Sequence, residues 1–145
     1  PLPFTPFKDF TERSINEINL YSTEMSSALY SIDRVSASAN MNNRLSEAIV
    51  EAYKSTNGAP ISFELMLKCY QSRMKDANND DSISSVLKQL VNAHIFESED
   101  KVSLIDDSYI IKMDGYPKDG PIAKAIVYFL MSKLNNIYEL WINKQ

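Results

Sequence analysis

Apolar residues recur through most of the chain at the three- and four-residue spacing of amphipathic helices. The clearest stretch runs from Leu45 to Tyr53, and the pair Asn57-Gly58 after it favours the end of a helix. Ser14 and Glu17 have the spacing of a capping box. We therefore expect five helices: residues 11–35, residues 44 to the Asn57-Gly58 stop, residues 62 to about 75, a helix from residue 82 with Ser82 as its cap, and residues 122–143.

Two parts of the chain are predicted to be extended rather than helical. Residues 1–10 alternate prolines with phenylalanines, and because proline fixes φ and removes a backbone donor, we expect an extended arm there. Ile95 and Phe96 precede an acidic turn, and apolar residues then return over residues 102–105, which predicts a β-hairpin. Residues 109–113 are a candidate for a further strand.

Three helices followed by a hairpin is the order of a winged helix. The sequence therefore predicts a mainly α (α+β) fold: an arm over residues 1–10, then one domain over residues 11–145. Its winged-helix core covers about 44–113, with additional N-terminal (11–35) and C-terminal (122–143) helices. The alternative is an all-helical bundle, in which residues 95–111 form a loop. The β-branched residues of that segment favour the hairpin.

Charge argues against the usual role of such a core. The chain of 145 residues carries a net charge of −4. Between residues 76 and 107, eight acidic residues and two lysines give −6, although this segment holds the expected recognition helix, and phosphate contacts require cations. The exposed face expected for that helix is Ser82, Ser84, Ser85, Lys88, Gln89 and Asn92. Specific DNA binding is thus disfavoured, unless a patch forms elsewhere from Arg44, Lys54, Lys68, Arg73 and Lys75.

Chemical signatures are absent from the sequence. Residues 76–87 imitate the start of a calcium loop but lack its glycine and its bidentate glutamate. The single histidine, His94, is expected at a helix end, and the single cysteine, Cys69, lies on an apolar stripe. We therefore expect no enzyme activity, no cofactor, no metal site and no small-molecule substrate.

Cysteine usage and apolar run length bear on location. A single cysteine allows no internal disulfide, which favours an intracellular compartment. The longest apolar run, residues 125–131, is too short to cross a bilayer. Because the chain begins with Pro1 rather than methionine, we expect a domain of a longer protein.

Several segments resemble one known family. They are RLSEAIVEAY (44–53), ISFELMLKCY (61–70), SVLKQLV (85–91), IF (95–96) and VSLI (102–105). This pattern is similar to the C-terminal winged helix of the origin-recognition AAA+ proteins, over about half of the chain. Within that family it most resembles the yeast silencing branch related to the largest origin-recognition subunit. The resemblance implies a nuclear chromatin-silencing protein whose winged helix has lost DNA binding and forms a homodimer. The family's nucleotide-binding loop is not present.

The last helix carries apolar residues around most of its circumference. A helix of this kind is buried on several sides. It is either a central core helix or a helix that packs on its own domain with one face and on a partner chain with another. For the second case we predict a dimer interface among Tyr128, Phe129, Tyr138 and Trp141, because aromatic residues are enriched as interface anchors. The expected partners are a second copy and other silencing proteins, with no specific DNA and no membrane.

Overall fold

The computed structural model describes residues 2–32, 39–74, 81–97, 101 and 115–144, and this part of the chain is mainly helical. The helices are α1 (Ile15–Ile32), α2 (Ala39–Ser55), α3 (Phe63–Ser72), α4 (Ser82–Ala93) and α5 (Pro121–Lys144). Helix α2 lies between α1 and α3, α3 packs on α4, and α5 contacts both α1 and α4. The five expected helices and the mainly α class are confirmed.

The N-terminal boundary of the first helix differs from the prediction. Helix α1 begins at Ile15 rather than at residue 11. The Asp9 carboxylate accepts hydrogen bonds from the Thr11 backbone N–H and hydroxyl at 2.8 and 2.6 Å, and Glu12 has a left-handed φ of 64°. These contacts form a turn before the helix. The Glu17 N–H donates to Ser14 Oγ at 3.4 Å, as expected for the cap.

The second helix was predicted to begin at residue 44, but α2 already begins at Ala39. Met41 is partly buried against the core, so packing outweighs the weak helix propensity of this polar stretch. The predicted cap of α4 is also wrong. Asp81 rather than Ser82 caps this helix, and its Oδ1 accepts from the Ser84 N–H at 2.9 Å.

The ends of α2 and α4 follow the sequence signals. Asn57 adopts a left-handed φ of 54°, and its N–H donates to the Lys54 carbonyl while the Gly58 N–H donates to the Tyr53 carbonyl. This pair of bonds satisfies the last carbonyls of α2. His94 is the C-cap of α4, in the left-handed conformation. Both predicted helix stops are confirmed.

The arm over residues 2–10 is part of the core. Leu2, Phe4, Phe7 and Phe10 are buried, and Phe10 packs edge-on against Tyr53 with ring centroids 5.1 Å apart. The Tyr53 hydroxyl donates to the Lys8 carbonyl at 2.8 Å. The arm therefore packs against α2, and its buried side chains form part of the surface on which α5 packs.

The predicted β-hairpin falls largely on residues 98–100 and 102–105, outside the described residues, as does the candidate strand over 109–113. In the described part of the chain there is no strand; Phe96 instead forms an isolated parallel bridge with Leu2 of the arm. The wing therefore remains a prediction, and the mainly helical class is what the described residues establish.

Candidate interaction surface

Helix α5 packs on the domain through the first half of one face. Ala125, Ile126 and Phe129 are buried there, and Ile126 belongs to a small apolar cluster with Leu2 and Phe4 of the arm. Phe129 is fully buried. Its ring contacts Phe7, Phe63, Phe96 and Tyr128, with centroid distances of 6.1, 5.4, 5.7 and 5.0 Å.

These contacts correct one predicted interface residue, Phe129. Phe129 is not available to a partner chain, because the arm, α3 and Phe96 surround it. Tyr128 is half-buried at the edge of the core, and burial, with a smaller contribution from the Glu24 carboxylate, raises its pKa. Tyr138 is 58% exposed. Trp141 lies in α5, but its side chain is outside the described residues.

The opposite face of α5 is an exposed apolar stripe. Its members are Val127 (62% exposed), Met131 (62%), Leu134 (48%), Tyr138 (58%) and Ile142 (45%). They follow one another at spacings of four, three, four and four residues, which keeps them on one side of a helix. We call this set the outer stripe. Sequence periodicity alone did not distinguish the outer stripe from the core-facing side of the helix. The prediction of aromatic residues as interface anchors included only one of its five members, Tyr138.

A hollow of about 380 Å³ lies at the N-terminal end of the outer stripe. It is lined in part by Gly120, Ala123, Lys124, Val127 and Tyr128. Gly120 lies just before α5, and no atom lies within 4 Å of the place where its Cβ would be. The stripe therefore begins at a hollow and ends at large exposed side chains.

The expected DNA-reading face of α4 is polar and narrow. Ser85, Gln89 and Asn92 are exposed on one side of the helix, but Ser84 is fully buried, with its hydroxyl 3.6 Å from the Met74 sulfur. Ser84 therefore cannot reach a nucleic acid. The helix offers amides and hydroxyls on this side, with Lys88 half-buried.

The two arginines of the candidate basic patch are held by acidic side chains of the same domain. Arg44 lies 3.3 Å from Asp81 and above the Tyr70 ring, and the Tyr70 hydroxyl donates to the same carboxylate. This cluster joins α2, α3 and the cap of α4. Burial, followed by the contact with Asp81, raises the pKa of Tyr70.

Arg73 bridges two glutamates of α2, Glu47 and Glu51, at 3.0 Å each. Lys54 and Lys68 are exposed, and Lys75 lies outside the described residues. Both guanidinium groups of the candidate patch are therefore paired with carboxylates of the domain.

The remaining features considered are the Cys69 thiol, metal-ligating side chains and the length of the apolar helices. Cys69 is buried in α3, and burial raises the pKa of its thiol, which disfavours the reactive thiolate. Within the described ranges, no cluster of three or more metal-ligating side chains occurs. In the same part of the chain, no helix is long and apolar enough to cross a membrane.

Comparisons with known proteins found no similar protein or structure. No family model, no curated protein and no solved structure matches the chain.

Proposed function

We propose that this chain is a non-enzymatic homodimerisation module whose contact surface is the outer stripe of α5. The observation that carries the proposal is the exposure of five large apolar side chains on one helix face. At about 100 Å² for each half-exposed side chain, they present roughly 500 Å², the size of the largest apolar patches on ordinary monomers. Two copies would bury about 1,000 Å² of apolar surface, the size at which specific interfaces begin.

A second copy suits this surface better than a lipid bilayer does. Helices that lie on membranes carry a basic polar face beside the apolar one. In α5 the lysines with described side chains are Lys124 and Lys133, and the Lys133 ammonium lies 5.8 Å from the centre of the Phe4 ring, over the domain. A self-complementary apolar patch is satisfied by two-fold pairing, the commonest symmetry of soluble oligomers.

The alternative function is DNA binding by a winged helix of a replication or transcription factor. Exposed Gln89 and Asn92 on α4 favour it, because amide side chains can pair with adenine. The engaged arginines and the acidic charge of residues 76–107 oppose it, since affinity for DNA depends on neutralising phosphates. The dimerisation proposal requires none of these groups.

The wider setting of the proposal rests on the family resemblance. The consecutive helices α2, α3 and α4 agree with the helical part of a winged helix. We take the domain to be a variant winged helix with N- and C-terminal helices, from a nuclear chromatin-silencing protein of the yeast silent information regulator type. In this setting a dimer would join two copies of a chromatin-bound chain, and other silencing proteins would be further partners.

Sedimentation equilibrium and a DNA titration test the proposal together. The apparent mass of the chain should rise from the monomer value of 16.5 kDa towards twice that value between low and high micromolar concentration. Binding to duplex DNA at physiological salt should be no tighter than the non-specific range of about 10⁻⁴ to 10⁻⁶ M. A constant monomer mass at high micromolar concentration would overturn the proposal. Sub-micromolar, sequence-dependent DNA affinity would establish the alternative.

A further inference from the structure

The outer stripe of α5 differs at its two ends. Its start borders the hollow at Gly120 and Ala123, and its end carries the exposed side chains of Tyr138 and Ile142. Ala123 and Ile142 are about 28 Å apart along the helix axis, at about 1.5 Å per residue. One face of α5 therefore has a hollow at its start and exposed apolar side chains at its end.

We infer that two copies pair α5 against α5 in antiparallel orientation, so that the end of each stripe enters the hollow of the other copy. The inference rests on the proposed function and adds its geometry. A two-fold axis midway between Val127 and Tyr138 would place Val127 opposite the partner's Tyr138. The same axis would place Met131 opposite the partner's Leu134, and Ala123 opposite the partner's Ile142. A parallel pair would instead set the two hollows against each other and Tyr138 against its own copy.

Charge favours the same orientation. Lys124 lies in the first turns of α5, and that first turn contains no acidic residue. In the antiparallel pair, the positive N-terminal end of each helix dipole would lie beside the negative C-terminal end of the other helix. Lys124 would then lie near the free carbonyls of a last turn that also contains Lys144. In a parallel pair, each Lys124 would face the other Lys124, and the helix dipoles would align unfavourably. Shape and charge thus select one orientation.

Site-directed disulfide cross-linking distinguishes the two orientations. In a Cys69→Ala background, Ala123→Cys and Ile142→Cys are prepared as separate full chains, mixed, and oxidised with oxidised glutathione. A disulfide requires Cα atoms within about 7 Å. The mixture should form covalent dimer at least about ten times faster than either variant alone, because only the antiparallel pair raises the effective concentration of the two thiols. Leu20→Cys, exposed on α1 and away from the outer stripe, is the control and should form no covalent dimer.

The outcomes separate this inference from the proposed function. Cross-linking of each variant with itself would indicate parallel helices and overturn the inference, while the dimer itself would stand. A dimer in sedimentation with no cross-link in any sample would also overturn the inference, since the helix ends would not meet. A monomer in sedimentation, for the background chain as well as the variants, would overturn the proposed function and the inference with it.

Discussion

Substitution of Gly58 by alanine tests whether the N-terminal arm is an integral part of the fold. Gly58 has a φ of +88°, in the left-handed region, and its carbonyl accepts a hydrogen bond from the Phe10 N–H at 2.6 Å. A Cβ atom at this position would lie 2.5 Å from the Phe10 carbonyl oxygen and 2.7 Å from its carbon. The obstacle is backbone, so the arm itself must move to admit a methyl group.

The expected loss has three parts. Left-handed backbone costs a residue with a Cβ about 1–2 kcal/mol. Displacement of Phe10 would strain its buried ring between Tyr21 and Tyr53 at a cost of about 1–3 kcal/mol, and the weakened backbone hydrogen bond adds about 1 kcal/mol. Gly58→Ala should therefore lower the free energy of unfolding by about 3–6 kcal/mol, a large part of the stability of a domain this size.

Gly115→Ala is the matched control. Gly115 has a φ of +87° and no neighbouring atom within 4 Å of a Cβ, so its substitution carries the backbone cost alone, about 1–2 kcal/mol. Urea unfolding followed by circular dichroism, at one protein concentration for all variants, measures both losses. Equal losses for the two variants would refute the claim that the arm is fixed against Gly58.

Two further predictions concern polar side chains of the domain. Asp81→Ala removes the cap of α4 and the partner of Tyr70 and Arg44, and should lower the free energy of unfolding in urea by about 2–3 kcal/mol. Arg73→Ala breaks exposed ion pairs and should lower it by less than about 1 kcal/mol. Similar losses for the two variants would contradict the stabilising role of the Asp81, Tyr70 and Arg44 cluster. Burial raises the pKa of Tyr21 and Tyr53 above the ordinary value of 10.0, so the unfolded chain loses these protons at a lower pH than the folded chain does. The urea midpoint should therefore stay level below about pH 9 and fall above about pH 10. A midpoint unchanged at about pH 11 would contradict the burial of these two hydroxyls.

The sequence predicted α5 as a helix apolar on several sides, but not which side is the core. Periodicity gives the angular position of each residue, and Phe129 and Tyr138 are both aromatic members of that pattern. The assignment depends on Phe7 and Phe63, which surround Phe129 from distant parts of the chain. Only the tertiary arrangement places Phe129 inside and Tyr138 outside.

The arm shows the same limit. Its prolines predicted a non-helical segment, and residues 2–10 contain no helix. Its phenylalanines are three residues apart, but the prolines among them exclude a helix, so this spacing did not predict that Phe4, Phe7 and Phe10 would be buried. The signals that did succeed were local ones, such as Asn57-Gly58, where backbone conformation is set by the residues themselves.

Sedimentation equilibrium of two charged variants tests the central claim about α5 most directly. Leu134→Asp places a carboxylate in the middle of the outer stripe, and Leu20→Asp places the same group on α1, at a leucine that is 64% exposed. Burial of the exposed half of Leu134 contributes about 1 kcal/mol to the interface, and a two-fold dimer contains two such residues. Desolvation of the two carboxylates of the variant adds a further cost, so the dissociation constant should rise at least about 100-fold. We predict a folded monomer for Leu134→Asp, with the wild-type circular dichroism spectrum, and wild-type dimerisation for Leu20→Asp. Equal dimerisation of both variants would contradict the assignment of the interface to α5.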